Sequence, residues 1–358
     1  MFNVLTIGPD YRTLKGGVAS VLEVYAKYDK LFTFLPTYSS ENNLINILLF
    51  PLKYFKIILF LLFNPSYKIV HIHGASRISF YRKYFMFLSI KYILHRKVIY
   101  HIHGAEYHLF MEETSSFIKK CIFNMLEQAD AIICLSIQWK EFFNKQVNLK
   151  SIYILNNTIS LPVEYMQSEE RKNGKILFLL LGRIGERKGI FDLINVIGEN
   201  KNYFKNKIKV IIGGDGDTER MLREIEEYKI GELIDYVGWV SGDKKDNLLI
   251  KSDVNILPSY NEGLPISILE SMSYKMPIIS TDVGGISTIV KNNYNGFLIE
   301  AGDTQELFNS IKYFIENQEK IKEYGDNSFK IVQDFLPEKV INDLHQIYDA
   351  VLKASNGN

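Results

Sequence analysis

Cysteine is nearly missing from this chain of 358 residues, which has only Cys121 and Cys134. Both stand in apolar runs and match no metal or redox spacing, so no disulfide framework is expected and a reducing compartment is. A basic leader with a cleavage site is missing too. The opening MFNVLTIGP reads as a buried first strand running into a glycine turn, not as a signal peptide. There is no repeat of solenoid period and no low-complexity segment. Acid is missing from one long stretch: between Asn42 and Ala105 stand nine Lys or Arg and no Asp or Glu. Residues 1–100 carry 13 basic and 4 acidic side chains, so the net charge of +1 hides a basic first part and an acidic remainder. A one-sided basic field points to an anionic partner for the N-terminal half.

What is present is a globular composition, 47% hydrophobic and 23% charged. Short apolar runs alternate with longer helical patterns. The runs expected as strands are 3–8, 69–73, 98–103, 131–135 and 152–155, then 176–181, 209–213, 234–237, 254–258 and 277–280. Most are continuously apolar, as for strands covered on both faces. Alternation with helices implies parallel sheets, and two sets imply two doubly wound domains. The polar stretch Glu164–Lys175 lies between the sets and is taken as the boundary. In open parallel sheets, ligands bind beyond the carboxyl ends of the strands. Polar clusters stand at those positions here.

Gly16-Gly17 follows the first strand and opens a helix, where exposed amides attract phosphate or a polar sugar. The spacing is not that of a dinucleotide fingerprint. Two strands end in HIHG, placing His71/His73 and His101/His103 in same-face pairs. No cysteine or carboxylate set accompanies them, so no metal is expected. At least two of the four are expected to be structural, satisfied by backbone, with His103 nearest a strand tip and Gly104 leaving room beside it. In LLLGRIGERKGI, Arg183 ends a strand and Lys188 precedes a helix, a pair suited to clamping a diphosphate. In NEGLPISILESM, Glu262 and Glu270 flank the start of a helix over Pro265–Tyr274. Burying carboxylates is costly unless they are paired. The amides of that helix start suit a phosphate and the acids suit hydroxyls, so the two acids are expected to face a sugar nucleotide.

These stretches resemble the retaining glycosyltransferases of GT-B fold known as the group-1 or GT4 type. The matching segments are GGVA (16–19), HIHG (101–104), GRIGERKG (182–189), GGDGD (213–217), YVGWV (236–240), SDVNILPSYNEGLPISILESMSYKMPIISTDVGG (252–285) and NGFLI (295–299). The resemblance implies two Rossmann-like α/β domains facing a cleft. Residues 1–163 would bind the acceptor and residues 164–335 the nucleotide sugar, with 336–358 forming a helix that returns to the first domain. It implies that Arg183 and Lys188 neutralise the departing diphosphate and that Glu270 binds the ribose. Glu262 would lie by the transferred sugar and His103 at the reacting centre. Gly16, Gly17, Gly214 and the backbone of Gly263 and Leu264 would approach the donor, and the loop after Trp239 would hold the base. Two departures stand out. Asn156-Asn157 replaces the usual Asn-Gly turn, which Asn can still form through a left-handed residue, and an acid usual near Thr288 is missing.

Transfer would proceed by front-face substitution, with the leaving diphosphate taking the acceptor's proton. No metal or other cofactor is expected. A UDP-sugar is the expected donor, and the expected acceptor is a lipid-linked or oligosaccharide chain of bacterial capsule, O-antigen or exopolysaccharide. Nucleic acid is not an expected partner. A GT-B sugar-nucleotide epimerase and an inactive sugar-nucleotide-binding scaffold are the alternatives. The apolar segment 44–63 carries Pro51, Lys53 and Lys56 near its middle, which argues against a membrane span. A surface rimmed by Lys53, Lys56, Arg77, Arg82 and Lys83 would instead rest on anionic lipid, making the protein cytoplasmic and peripheral on the inner face of the plasma membrane.

Overall fold

The computed structural model describes residues 3–162 and 174–354. The chain divides into two compact units, Met1–Ile159 with Leu336–Asn358, and Ser160–Phe335. The proposed boundary at Glu164 lies outside the described residues.

The first unit is built on a parallel sheet of β1 (Asn3–Pro9), β2 (Thr33–Tyr38), β3 (Tyr67–Gly74), β4 (Lys97–Ile102), β5 (Ala131–Cys134) and β6 (Ile152–Ile154). Their order across the sheet is β2-β1-β3-β4-β5-β6. Leu5, Ile7, Val70, Ile72 and Val98 are fully buried beneath the helices, which is why the inner strands read as unbroken apolar runs. The helices of this unit include α1 (Gly17–Tyr28), α2 (Asn43–Phe63) and α3 (Ile78–Leu88). The Asn42 side chain caps α2 by accepting from the Leu44 amide at 2.9 Å.

α2 is apolar on two faces. Asn46, Ile57 and Leu61 are buried, and Phe50 and Tyr54 pack on the same core. Leu44, Leu48, Leu52, Phe55, Leu59 and Phe63 recur every three or four residues on the other side and are exposed. The C-terminal helix Pro337–Lys353 belongs to this unit. Tyr348 reaches His71, His345 pairs with Asp29 at 3.1 Å, and Lys97 donates to the Val351 carbonyl at 2.5 Å.

The second unit holds a parallel sheet of β7 (Ile176–Leu181), β8 (Ile208–Gly213), β9 (Ile234–Tyr236), β10 (Val254–Leu257), β11 (Ile278–Thr281) and β12 (Gly296–Ile299), in the order β12-β11-β10-β7-β8-β9. Ten of these twelve strands coincide with apolar runs expected from the sequence. The other two, β2 and β12, are both edge strands. TFLPTY contains Pro36, which an edge tolerates, and GFLI is four residues opening on glycine, so neither reads as a covered run.

Candidate functional site

In the second unit the site is assembled at the carboxyl ends of β7, β8 and β10. The chain after β7 turns through Gly182 and Arg183, and the short helical turn Glu186–Lys188 leads into Gly189. Gly189 has φ +66, and a Cβ there would stand 1.9 Å from the Pro258 carbonyl oxygen. Only glycine permits that approach, and it seats the cationic loop directly against the acidic one. The Tyr260 amide donates to the Arg187 carbonyl at 2.8 Å, completing the seam.

Glu262 is 6% exposed and is met by cationic and hydroxyl groups. Lys188 Nζ donates to its Oε1 at 2.5 Å, Ser259 Oγ donates to the same oxygen at 2.8 Å, and Arg187 stands 3.8 Å from Oε2. Glu270 lies within the helix Ile266–Ser273 and receives Lys245 Nζ at 2.5 Å. Burial pushes the Glu270 carboxyl above the ordinary carboxylate range, and the Lys245 ammonium opposes that shift. The two acids therefore face lysines in the ligand-free chain, and Glu270, expected to face outward, is half-buried. The helix is also shorter than its expected Pro265–Tyr274, because Pro265 is extended and precedes the first turn.

Arg183 is exposed, and no ion pair of its own occurs among the described residues, so of the two expected clamp cations it is the one free to meet a ligand. Lys188 would have to share its ammonium between Glu262 and any phosphate. Gly214 has a backbone reason to be glycine: a Cβ would lie 1.8 Å from the Gly182 carbonyl oxygen. Its amide donates to the Gly238 carbonyl at 2.8 Å, which ties the β8 turn to the loop holding the 37%-exposed Trp239. Gly263 and Leu264 are buried, and the Gly285 amide donates to the Gly263 carbonyl at 2.6 Å. Thr288, where an acid was expected, donates its hydroxyl to the Gly285 carbonyl at 2.5 Å. Lys245, Arg187 and Ser259 were missed. Arg187 and Ser259 lie within the segments 182–189 and 252–285 and were passed over there, whereas Lys245 lies outside any such segment and is identified only by the carboxylate it meets.

In the first unit, Gly16 at φ +106 precedes α1, and Gly17 is its exposed first residue. The four strand-end imidazoles form a ladder across β3 and β4, where His73 stands opposite His101. His71 Nδ1 pairs with Tyr348 Oη at 2.7 Å and its Nε2 with His101 Nδ1 at 3.3 Å, while His73 Nδ1 pairs with His103 Nε2 at 2.8 Å. The histidines thus bond to one another and to a tyrosine, rather than to backbone as expected, while His73 Nε2 and His101 Nε2 are buried with no hydrogen-bond partner among the described residues. Burial pulls His71 and His103 down to about 3, with Lys83 adding to the effect at His103, so the ladder is neutral. The ring nitrogens of His71, His73 and His101 lie within 4.8 Å of one another, close enough to hold a metal ion. Asn157 bonds to His103, and neither Asn156 nor Asn157 has positive φ, so the left-handed turn expected there does not form. A Cβ at Gly104 would stand 3.1 Å from the Ser76 nitrogen, so backbone approaches closely on that side.

Residues 163–331 match the family described as "Glycosyl transferases group 1". The chain is 25% identical over 338 residues to an uncharacterised glycosyltransferase of Methanocaldococcus jannaschii, an alignment covering 90% of this chain and 83% of that one. It is 26% identical over 299 residues to an Escherichia coli protein named UDP-Gal:alpha-D-GlcNAc-diphosphoundecaprenol alpha-1,3-galactosyltransferase, covering 78% of this chain and 73% of that one. Among solved structures it resembles Anabaena Alr3699/HepE in complex with UDP and glucose, with a TM-score of 0.78 at 16% identity over 97% of this chain and 99% of that one.

Proposed function

From a chain that belongs to the group-1 glycosyltransferases of GT-B fold, we propose a retaining enzyme that moves a sugar from a UDP-sugar to a lipid-linked acceptor in bacterial surface-polysaccharide synthesis. The observation that carries this reading is the seam in the second unit, where the Arg183–Lys188 loop and the Glu262 loop meet beyond the ends of adjacent strands. That arrangement offers a free guanidinium and a shared ammonium to a diphosphate, and two carboxylates to sugar and ribose hydroxyls. Transfer needs little else: charge on the departing diphosphate must be stabilised and both substrates held in line. On the front face, the acceptor hydroxyl bonds to the anomeric carbon while the bond to the diphosphate breaks and the acceptor proton passes to the leaving phosphate. Arg183 and Lys188 stabilise that phosphate, Glu262 steadies the cationic ring, Glu270 holds the ribose, and His103 touches the donor sugar. The reaction is proposed to need no metal. The bonding of His71 to Tyr348 and His101 supports a structural role for that end of the ladder.

The acceptor is read from the first unit. α2 exposes an apolar stripe from Leu44 to Phe63, and α3 beside it exposes Ile78, Tyr81 and Phe85. The two helices join through Phe85, 5.0 Å from the Tyr54 ring and 6.1 Å from that of Phe50. α2 is long and apolar enough to cross a membrane by length and composition, yet its other face packs on the core of the unit. It therefore suits lying in a lipid surface rather than spanning it. The basic rim is smaller than expected. Lys83 is buried, Arg82 and Lys53 are half-buried, and Arg77 pairs with Glu113 at 2.8 Å, leaving Lys56 exposed. The E. coli relative is named for a diphosphoundecaprenol acceptor, which supports a lipid carrier and a peripheral position on the cytoplasmic face. A thermal-shift screen of nucleotide sugars, followed by turnover on prenyl-diphosphate-linked sugars, tests the reading. Stabilisation by a nucleotide sugar with no transfer to any lipid-linked acceptor would count against it.

A further inference from the structure

Arg82 and Lys83, on α3, both stand over the ring of Tyr38 at the end of β2. The guanidinium carbon is 4.6 Å from the ring centroid and the Lys83 ammonium 4.8 Å. Lys83 is 1% exposed, and its Nζ donates to Ser79 Oγ at 2.9 Å. Two nitrogens of Arg82, Nε and Nη1, are buried with no hydrogen-bond partner among the described residues. Buried donors of that kind are rare in folded proteins, and each needs a reason.

Carboxylates do not provide the counter-charge. Among the described residues no acid pairs with either cation, and the sequence has none from Asn42 to Ala105. Burial, with Arg82 alongside, pulls the Lys83 ammonium down to about 7. A cation pair taken out of water without an anion is costly. The entry to α3 is unusual as well: Arg77 has φ +58, and no side chain caps the first turn. A guanidinium with two buried N–H groups unpartnered among the described residues and an ammonium beside it are a donor set that suits a phosphate group.

We propose that Arg82 and Lys83 form an anion subsite that takes the phosphate or diphosphate of the acceptor. The proposal rests on the acceptor reading given under Proposed function and names the group by which that acceptor is held. Two sources share this chemistry, a lipid diphosphate and a soluble sugar phosphate. The exposed Ile78, Tyr81 and Phe85 on the same helix favour the first, because they offer apolar contact to a tail.

The test is calorimetric titration of the full chain in an Arg183→Ala/Lys188→Gln background, which disables the diphosphate cations of the second unit. The probes are inorganic phosphate, inorganic pyrophosphate and farnesyl diphosphate. Pyrophosphate should bind, and Arg82→Met and Lys83→Met should each weaken it by about tenfold or more, the worth of a charged hydrogen bond. Arg82→Lys should retain most of the affinity. Farnesyl diphosphate binding tighter than pyrophosphate identifies a lipid source, whereas equal affinities identify a soluble one. Each Met variant removes a buried charge, so its melting temperature should hold or rise while affinity falls, whereas a merely structural pair would lose melting temperature and keep its affinity. Absence of pyrophosphate binding in the background, or binding that neither Met variant changes, overturns the subsite. Donor hydrolysis by the wild-type chain is read separately. If hydrolysis is present while the subsite fails, the transferase reading stands and only this proposal falls.

Discussion

Glu262→Ala removes the acid on which the seam of the second unit converges. Glu262 and Lys188 are 6% and 12% exposed in their side chains, so the variant strands a nearly buried ammonium and also deprives Ser259 of its acceptor. Removing one partner of a buried pair typically costs about 3–5 kcal/mol. The residual exposure of Lys188 and the nearby Arg187 argue for the lower end, about 3 kcal/mol. For a unit of this size that corresponds to a melting temperature lower by roughly 6–12 °C. Adding Lys188→Met to Glu262→Ala should recover most of the loss, because the stranded charge is gone. Turnover should not recover, since both groups are assigned to the donor. The assay is a thermal melt run beside nucleotide-diphosphate release at saturating donor. A double variant as unstable as the single would show that the pair is not what holds the loops together. A double variant with near-normal turnover would show that the pair is scaffold and not machinery.

Glu270→Ala is expected to raise the donor KM more than it lowers kcat, since Glu270 is assigned to the ribose. Arg183→Ala should mainly lower kcat, with about 2–4 kcal/mol of transition-state stabilisation lost. The reverse split would exchange the two roles. Activity should survive EDTA, and a strict Mn²⁺ or Mg²⁺ requirement for turnover would refute metal-free transfer. Co-sedimentation with anionic liposomes at low salt should be lost when Leu48, Leu52 and Phe55 are changed to Glu. Lys83→Glu would not be a clean test, because that side chain is buried. Equal recovery in the supernatant with and without lipid would remove the membrane face.

The covered strands were legible because burial on both faces leaves an apolar run, and the edge strands β6 and β9 were read from short runs as well; β2 and β12 were not, because Pro36 interrupts the first and the second is four residues opening on glycine. Lys188 and Glu262, which the fold brings together, were singled out in the sequence as charges placed among glycines beyond strand ends. The remaining partners were not. Lys245 meets Glu270, and Ser259 and Arg187 meet Glu262, only after the loops fold against one another. The same limit explains Lys83. In the sequence it is one more basic residue in an acid-free stretch, and nothing in FYRKY says that it turns inward beneath Tyr38 while Tyr81 and Phe85 stay outside. The histidine ladder shows the converse case. The period-2 spacing placed the imidazoles on one face correctly, but their bonding partner Tyr348 comes from a helix 277 residues away.

The most direct measurement is a proton NMR time course of the purified chain with UDP-, GDP- and ADP-sugars and a prenyl-diphosphate-linked acceptor. Group-1 glycosyl transfer with retention predicts release of the nucleoside diphosphate, with UDP-sugars preferred, and a product whose anomeric configuration matches that of the donor. No nucleoside diphosphate released from any of the three donor classes, or a product of inverted configuration, would contradict it.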